Sequence, residues 1–229
     1  MPVTILLTRP ESGAQRFADQ LIAEFGSRVR ILSSPMMSIE PVRTAPDLTA
    51  YRGIIFTSVH SVPYGIAGLD CYVVGQATAR AARAVGMNVL GIAPDAQTLI
   101  REILADGEPG PLLHLRGEHA RGDIAGSLTR AGCPTDEAVV YLQVEQPISD
   151  QAKQALSGDS PVIVPLFSPR SAQLFLAQSA GTAPIWAVAI SEAAAQELRT
   201  PRIARLSVAN TPDAKAMLKA IEGLMDAAT

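Results

Sequence analysis

The chain has little cysteine and little histidine. Cys71 and Cys133 are its two cysteines, with no C-x-x-C spacing, and the histidines at 60, 114 and 119 form no zinc-ligand pattern with them. No metal site is expected, and both cysteines read as small packing residues, Cys71 at a strand start and Cys133 just past a helix end. A basic excess is also missing. The net charge of −3 argues against a nucleic-acid surface, which normally shows a basic face. No apolar run approaches the roughly 18 residues that a membrane span needs, and the opening MPVTILLTRP has no basic stretch ahead of a long apolar core. A cytoplasmic protein is expected, with neither a membrane nor a nucleic-acid partner. Nucleotide signatures are absent too: GQAT at 75–78 is not a P-loop, and no G-x-G-x-x-G follows a strand. Neither a nucleophile elbow nor a Ser/His/Asp arrangement appears.

What the chain does have is an internal repeat. The segment GIIFTSVHSV…YVVGQATARAA…APDAQTLIREI returns as VIVPLFSPRSA…AVAISEAAAQEL…TPDAKAMLKAI, so that Ser58 answers Ser168, Gly75 answers Ser191 and Asp95 answers Asp213. An earlier pair, LLTRPESGAQRFADQLIAEFG and LHLRGEHARGDIAGSLTRAG, sets Arg9 against Arg116. Solenoid repeats have periods of roughly 20–50 residues, so these longer copies imply two α/β domains. The length of 229 residues suits that, at about 100 per domain.

Short apolar runs alternate with helical spacing. Strands are expected at 3–8, 28–32, 53–57, 71–74, 87–90, 112–115, 137–142, 161–166, 185–190 and 205–208. Helices are expected after the first strand, where Phe17, Leu21, Ile22 and Phe25 precede the stop at Gly26, and at 60–67, 76–85, 119–131, 169–178, 192–198 and 212–226. The segment SSPMMSIEPVRTAPD reads as Pro-rich and irregular. Such alternation predicts parallel doubly wound sheets, flavodoxin-like or Rossmann-like.

The copies can close as a simple tandem or with one domain inserted in the other. The stretches at 35–46 and 144–150 are the two convincing linkers, and they favour insertion. The expected division is a discontinuous first domain of 1–36 and 146–229, a second domain of 42–140, and extended linkers at 37–41 and 141–145.

Ligands of parallel sheets bind beyond the strands' carboxyl ends, where helix N-termini point free N–H groups outward. The candidates there are Arg9, Thr57, Ser58, Gly75, Gln76, Thr78, Arg116, Gly117, Ser168 and Ser191. Hydroxyls, amides and a few arginines suit anionic groups. The alternative is plain capping, since Ser and Thr are ordinary N-caps worth about 1 kcal/mol each. His60 reads as a solvent-facing residue in a helical first turn, and His114, inside an apolar strand, as a packed residue with a satisfied ring.

Taken in order, LLTRP, IIFTS, YVVGQATA, LLHLRG with Arg121, VVYLQ, LFSPRSA and AVAIS resemble the uroporphyrinogen-III synthase family across nearly the whole chain. The resemblance implies a cofactor-free lyase of heme and porphyrin biosynthesis that closes hydroxymethylbilane, a linear tetrapyrrole with eight carboxylates, into uroporphyrinogen III. Water is lost and ring D inverts through a spiro intermediate, in a cleft between two domains. It also implies that substrate comes from hydroxymethylbilane synthase, adds Arg121 to the binding set, and makes Tyr141 the candidate proton donor; a monomer is expected because nothing in the sequence demands more. Two loops depart from the family pattern. Residues 190–195 read ISEAAA where the family has an IGPTTA-like loop, gaining the carboxylate of Glu192, and FTSVHSV places Val59 and His60 where proline and a small polar residue are usual. The altered loop motivates a second reading, a non-catalytic relative that binds an anionic tetrapyrrole or another polyacid.

Overall fold

The computed structural model describes residues 2–43, 46–107, 110–119 and 122–226. The chain begins with β1 (Val3–Leu7), α1 (Glu11–Phe25), β2 (Val29–Ser33) and β3 (Met37–Pro41). Then come β4 (Gly53–Phe56), β5 (Asp70–Val74), α2 (Gln76–Ala84), β6 (Asn88–Ala93), α3 (Ala96–Ala105), β7 (Leu112–Gly117), α4 (Ile124–Arg130) and the long β8 (Thr135–Glu145). The last third holds α5 (Asp150–Leu156), β9 (Val162–Leu166), α6 (Pro169–Gln178), β10 (Ile185–Ala189), α7 (Glu192–Glu197), β11 (Ile203–Val208) and α8 (Ala214–Asp226).

Two compact units result, one of Met1–Ser38 with Glu145–Thr229, the other of Ile39–Val144. The first is thus discontinuous in sequence. Its sheet runs β2-β1-β9-β10-β11 with every pairing parallel. In order of appearance along the chain this is 2-1-3-4-5, the flavodoxin-like winding. Such a sheet is covered on both faces, so its strands are nearly continuous runs of Val, Ile, Leu and Ala. Successive residues face opposite ways. Leu6, Val164, Leu166 and Ala187 pack with Leu156, Phe175 and Leu198 from α5, α6 and the end of α7. Ile5, Leu7, Ile163 and Val188 pack with Phe17 and Leu21 of α1 and Met217 and Ile221 of α8.

The second unit repeats the winding. Its sheet runs β8-β7-β4-β5-β6, again parallel, with β3 added outside β8. Matched by position, β7, β8, β4, β5 and β6 answer β1, β2, β9, β10 and β11, the correspondence expected from the repeat. Helix α2 covers one face through Ala79 and Ala82, while α3 and α4 cover the other through Leu99, Ile103, Ile124 and Leu128. Val42 donates to the Val140 carbonyl and Gln146 to the Met36 carbonyl, so partner numbers fall as they rise and β3 runs antiparallel to β8.

Four local expectations need correction. Residues 60–67 are not an α-helix but a single 3-10 turn at Val62–Tyr64, with Pro63 near its start. Gly65 ends the turn in an extended conformation, against Met87 and Phe56, where a β-carbon would meet the Met87 sulfur at 2.5 Å. The Pro-rich stretch contains strand β3. Helices α3 and α5 also exist where none was expected; Ser149, whose hydroxyl accepts the Ala152 N–H, starts α5 within the stretch 144–150 read as a linker. The helix expected at 119–131 begins only at Ile124, because Asp123 caps it by accepting the Gly126 N–H at 2.9 Å.

Candidate active site

In a 2-1-3-4-5 sheet the winding reverses between the first and third strands, and the crevice beyond their carboxyl ends is the default ligand site. In the first unit that point lies between β1 and β9. Arg9 follows β1, and its guanidinium lies 4.0 Å from the centre of the Phe167 ring, which follows β9. Phe17 of α1 meets the same ring edge-on, with centroids 5.0 Å apart. Gly13 completes the slot, since a β-carbon there would fall 2.7 Å from Arg9 Nε. Burial, with the neighbouring charge of Arg16, lowers the Arg9 pKa from 12.5 to about 10, so it remains a cation at neutral pH. None of the ion pairs among the described residues includes Arg9. A partly desolvated guanidinium stacked on an aromatic face is prepared for a carboxylate.

Ser168 caps α6 through a complete capping box: its Oγ accepts the Ser171 N–H at 3.1 Å, and Ser171 Oγ accepts the Ser168 N–H at 3.0 Å. Ser191 caps α7 in the same sense, accepting the Ala194 N–H at 3.4 Å. Both hydroxyls therefore do the work of caps. Glu192, the carboxylate gained in the altered loop, is paired with Arg199, which offsets its charge.

In the second unit the reversal falls between β7 and β4. Thr57 follows β4, with its Oγ1 3.3 Å from Nε2 of His114 on β7. His114 is 2% exposed, and its Nδ1 has no partner among the described residues. Burial lowers its pKa from 6.5 to about 4, outweighing the attraction of nearby Glu137, so the ring is neutral at pH 7. The expected satisfied ring is thus only half satisfied. Ser58 supports its own turn: its Oγ accepts the His60 N–H, and its carbonyl accepts the Ser61 hydroxyl at 2.9 Å. His60 does not simply face solvent; its ring meets the Tyr141 ring edge-on, with centroids 5.6 Å apart.

Arg116 ends up differently from its counterpart Arg9. Its guanidinium donates to Glu137 at 2.5 Å and to the carbonyls of Gly117 and Glu118 at 3.0 and 3.1 Å. The bond to Glu137 raises the pKa of Arg116 and lowers that of Glu137. Gly117 carries Tyr141 across it: the register between β7 and β8 jumps, Arg116 facing Val139 and Gly117 facing Tyr141, so Val140 is the extra residue of a bulge. Tyr141 is 5% exposed and its carbonyl accepts the Glu118 N–H at 3.1 Å. At the next strand end Gly75 adopts φ 84°, a conformation that favours glycine, and opens α2. Gln76 is exposed on that first turn, and Thr78 is buried. Arg121 lies outside the described residues.

At the winding reversals stand Arg9 and Ser168 in the first unit and Thr57, Ser58, Arg116 and Gly117 in the second, whereas Ser191 and the Gly75–Gln76–Thr78 turn lie one strand farther along their sheets. Sequence reading had Phe167 at the strand end within LFSPRSA but not its place under Arg9, and it missed Glu137 and the roles of His60 and His114. A histidine inside the otherwise apolar LLHL was a usable signal for the last, because a buried ring needs partners. Nothing in sequence marked the others.

The family model described as Uroporphyrinogen-III synthase HemD matches residues 17–219. No curated protein matches the chain in sequence. Among solved structures, uroporphyrinogen-III synthetase from Helicobacter pylori 26695 is similar at TM-score 0.72 and 18% identity, covering 98% of this chain and 100% of that one. A mutant uroporphyrinogen III synthase from the extremely thermophilic bacterium Thermus thermophilus is similar at TM-score 0.58 and 13% identity, covering 98% and 99%. The structural likenesses carry the fold. The family match, spanning most of the chain and both repeats, carries the assignment: this chain belongs to the uroporphyrinogen-III synthase family.

Proposed function

We infer that the chain performs the chemistry of its family: it is a lyase of porphyrin and heme biosynthesis that closes hydroxymethylbilane into uroporphyrinogen III, losing water and inverting ring D. The observation that carries this reading is the family match over residues 17–219. Geometry adds chemical sense. The substrate is a polyacid, and each sheet offers it hydroxyls, backbone N–H groups and, beside Phe167, an arginine outside every described ion pair.

Arg9 is the carboxylate ligand of the first unit, with the α6 N-terminus behind Ser168 and the α7 turn behind Ser191 adding amide hydrogens. In the second unit Thr57, Ser58, the Gly75–Gln76–Thr78 turn and Gly117 line the corresponding rim, and Arg121 adds a second cation. Arg116 braces the loop after β7 through its terminal nitrogens, which donate to Glu137 and two carbonyls, while its buried Nε has no partner among the described residues. Tyr141 supplies the proton with which the terminal hydroxyl leaves as water, and His60 packs against its ring. The resulting cation is attacked by a pyrrole carbon, and holding the chain so that the right carbon reacts is the larger part of the work. Residues 37–41 and 141–145 act as interdomain linkers. The protein acts as a cytoplasmic monomer that receives its substrate from hydroxymethylbilane synthase. Among the described residues no helix is long and apolar enough to cross a membrane.

The test is conversion of hydroxymethylbilane followed by separation of the type I and type III isomers. Wild-type protein gives uroporphyrinogen III. Only the spontaneous type I product, at any protein concentration, would sink the reading.

A further inference from the structure

Among the described residues, His114 is the one buried titratable side chain at the second unit's winding reversal that the proposed reaction leaves without a task. It is 2% exposed, in the middle of β7, and one ring nitrogen meets Thr57 Oγ1 at 3.3 Å while the other meets nothing among the described residues. A neutral imidazole carries its hydrogen on one nitrogen and a lone pair on the other. Buried N–H groups without a partner are rarer than under-satisfied acceptors. The hydrogen therefore belongs on Nε2, facing Thr57, and Nδ1 is the bare acceptor.

That choice decides what Thr57 can do. A hydroxyl has one hydrogen to give. Were Nε2 an acceptor, that hydrogen would be spent on the ring. With Nε2–H donating, the Thr57 hydrogen is free for a second partner, and Thr57 is only half-buried, at the strand's carboxyl end. A carboxylate only accepts, so it recruits this arrangement. We propose that His114 is a positioning residue, whose Nε2–H donates to Thr57 Oγ1 and turns that hydroxyl's own hydrogen outward to a substrate carboxylate.

The inference rests on the proposed reading only for the identity of the carboxylate. Burial keeps the ring neutral, with its pKa lowered to about 4, and Glu137 is engaged by Arg116. A chain of two such bonds ending on a charge is stronger than either alone.

Two measurements test it. In ¹⁵N spectra of the wild-type protein at pH 7, His114 is expected as the Nε2–H tautomer; the Nδ1–H form overturns the inference. In kinetics with hydroxymethylbilane, His114→Leu and Thr57→Val each raise KM about tenfold with kcat little changed, the loss expected for one hydrogen bond to a charged group. The double variant is no worse than either single one, and His114→Gln, whose amide nitrogen stands near the Nε2 position, restores most of the affinity. Effects that multiply in the double variant, or a Gln variant as weak as the Leu one, overturn it. A wild type making no uroporphyrinogen III sinks the proposed function instead, and the tautomer still decides this inference.

Discussion

The ring of Tyr141 lies across the α-carbon of Gly117, so close that a β-carbon on Gly117 would sit 2.5 Å from two ring atoms and 2.8 Å from the hydroxyl oxygen. The glycine at the end of β7 is thus required by its neighbour. The bulge at Val140 brings the ring there, and the His60 ring packs against it in an edge-on arrangement.

Gly117→Ala should push the Tyr141 ring off this surface. Overpacking a close contact typically costs roughly 1–3 kcal/mol, and the proposed proton donor would be displaced with it. The expected result is a lower Tm and a fall in kcat of at least tenfold. Tyr141→Phe, which keeps the ring and removes the proton, should lower kcat with Tm nearly unchanged. An alanine variant with wild-type kcat would show that the ring's place does not matter.

Ser168 separates capping from binding. Ser168→Ala should cost about 1 kcal/mol, the usual value of an N-cap. Asp caps as well as Ser, so Ser168→Asp should keep the urea midpoint while adding a negative charge where a polyacid is expected. A sharp rise in KM with unchanged stability is the expected outcome for Asp, and an unchanged KM would remove this helix end from the binding surface.

Arg9 should show a conflict between stability and binding. Its pKa is lowered chiefly by burial, so its charge is held at a cost in the free protein. Arg9→Met keeps an unbranched stem against Phe167 and removes the charge. The Tm should be no lower than wild type, whereas KM should rise at least tenfold. A lower Tm with an unaltered KM would make Arg9 a packing residue.

His114 gives a pH signature. Its folded pKa, about 4, lies below the unfolded 6.5. The unfolded chain therefore takes up the proton first. The contribution is fully present above pH 6.5 and is lost as pH falls toward 4, by roughly 2–3 kcal/mol at pH 4.5 from 1.36 kcal/mol per pKa unit. Urea midpoints at pH 7.5 and 4.5 measure it. The drop between them should shrink in His114→Gln, while the carboxylates with lowered pKa values, such as Glu137 and Asp123, act at still lower pH. An equal drop in both proteins would contradict the neutral buried ring.

Much of the fold was legible. Runs such as VIVPL and IWAVA are apolar throughout because their sheet is covered on both faces; the repeat of Asp95 as Asp213 also held the start of α3, which was not expected, since Asp95 accepts the Thr98 N–H as Asp213 accepts the Ala216 N–H. The stretch 60–67 was expected as a helix, but it makes only one 3-10 turn with Pro63 near its start, and Gly65 leaves it in an extended conformation. The site was legible as a rim of loops but not residue by residue. Arg9 and Arg116 are equivalent in the repeat, yet one lies on Phe167 and the other is held by Glu137, a difference set by neighbours that are far away in sequence.

The sequence by itself determined the two copies, the alternation of strand and helix, and the family, because periodicity and capping are local properties that survive without knowledge of neighbours. Only the tertiary structure decided where Tyr141 points and what His114 touches. A one-residue bulge moves a side chain from one face of a sheet to the other, and a hydrogen bond across adjacent strands joins residues 57 positions apart. Neither leaves a periodic trace in the chain.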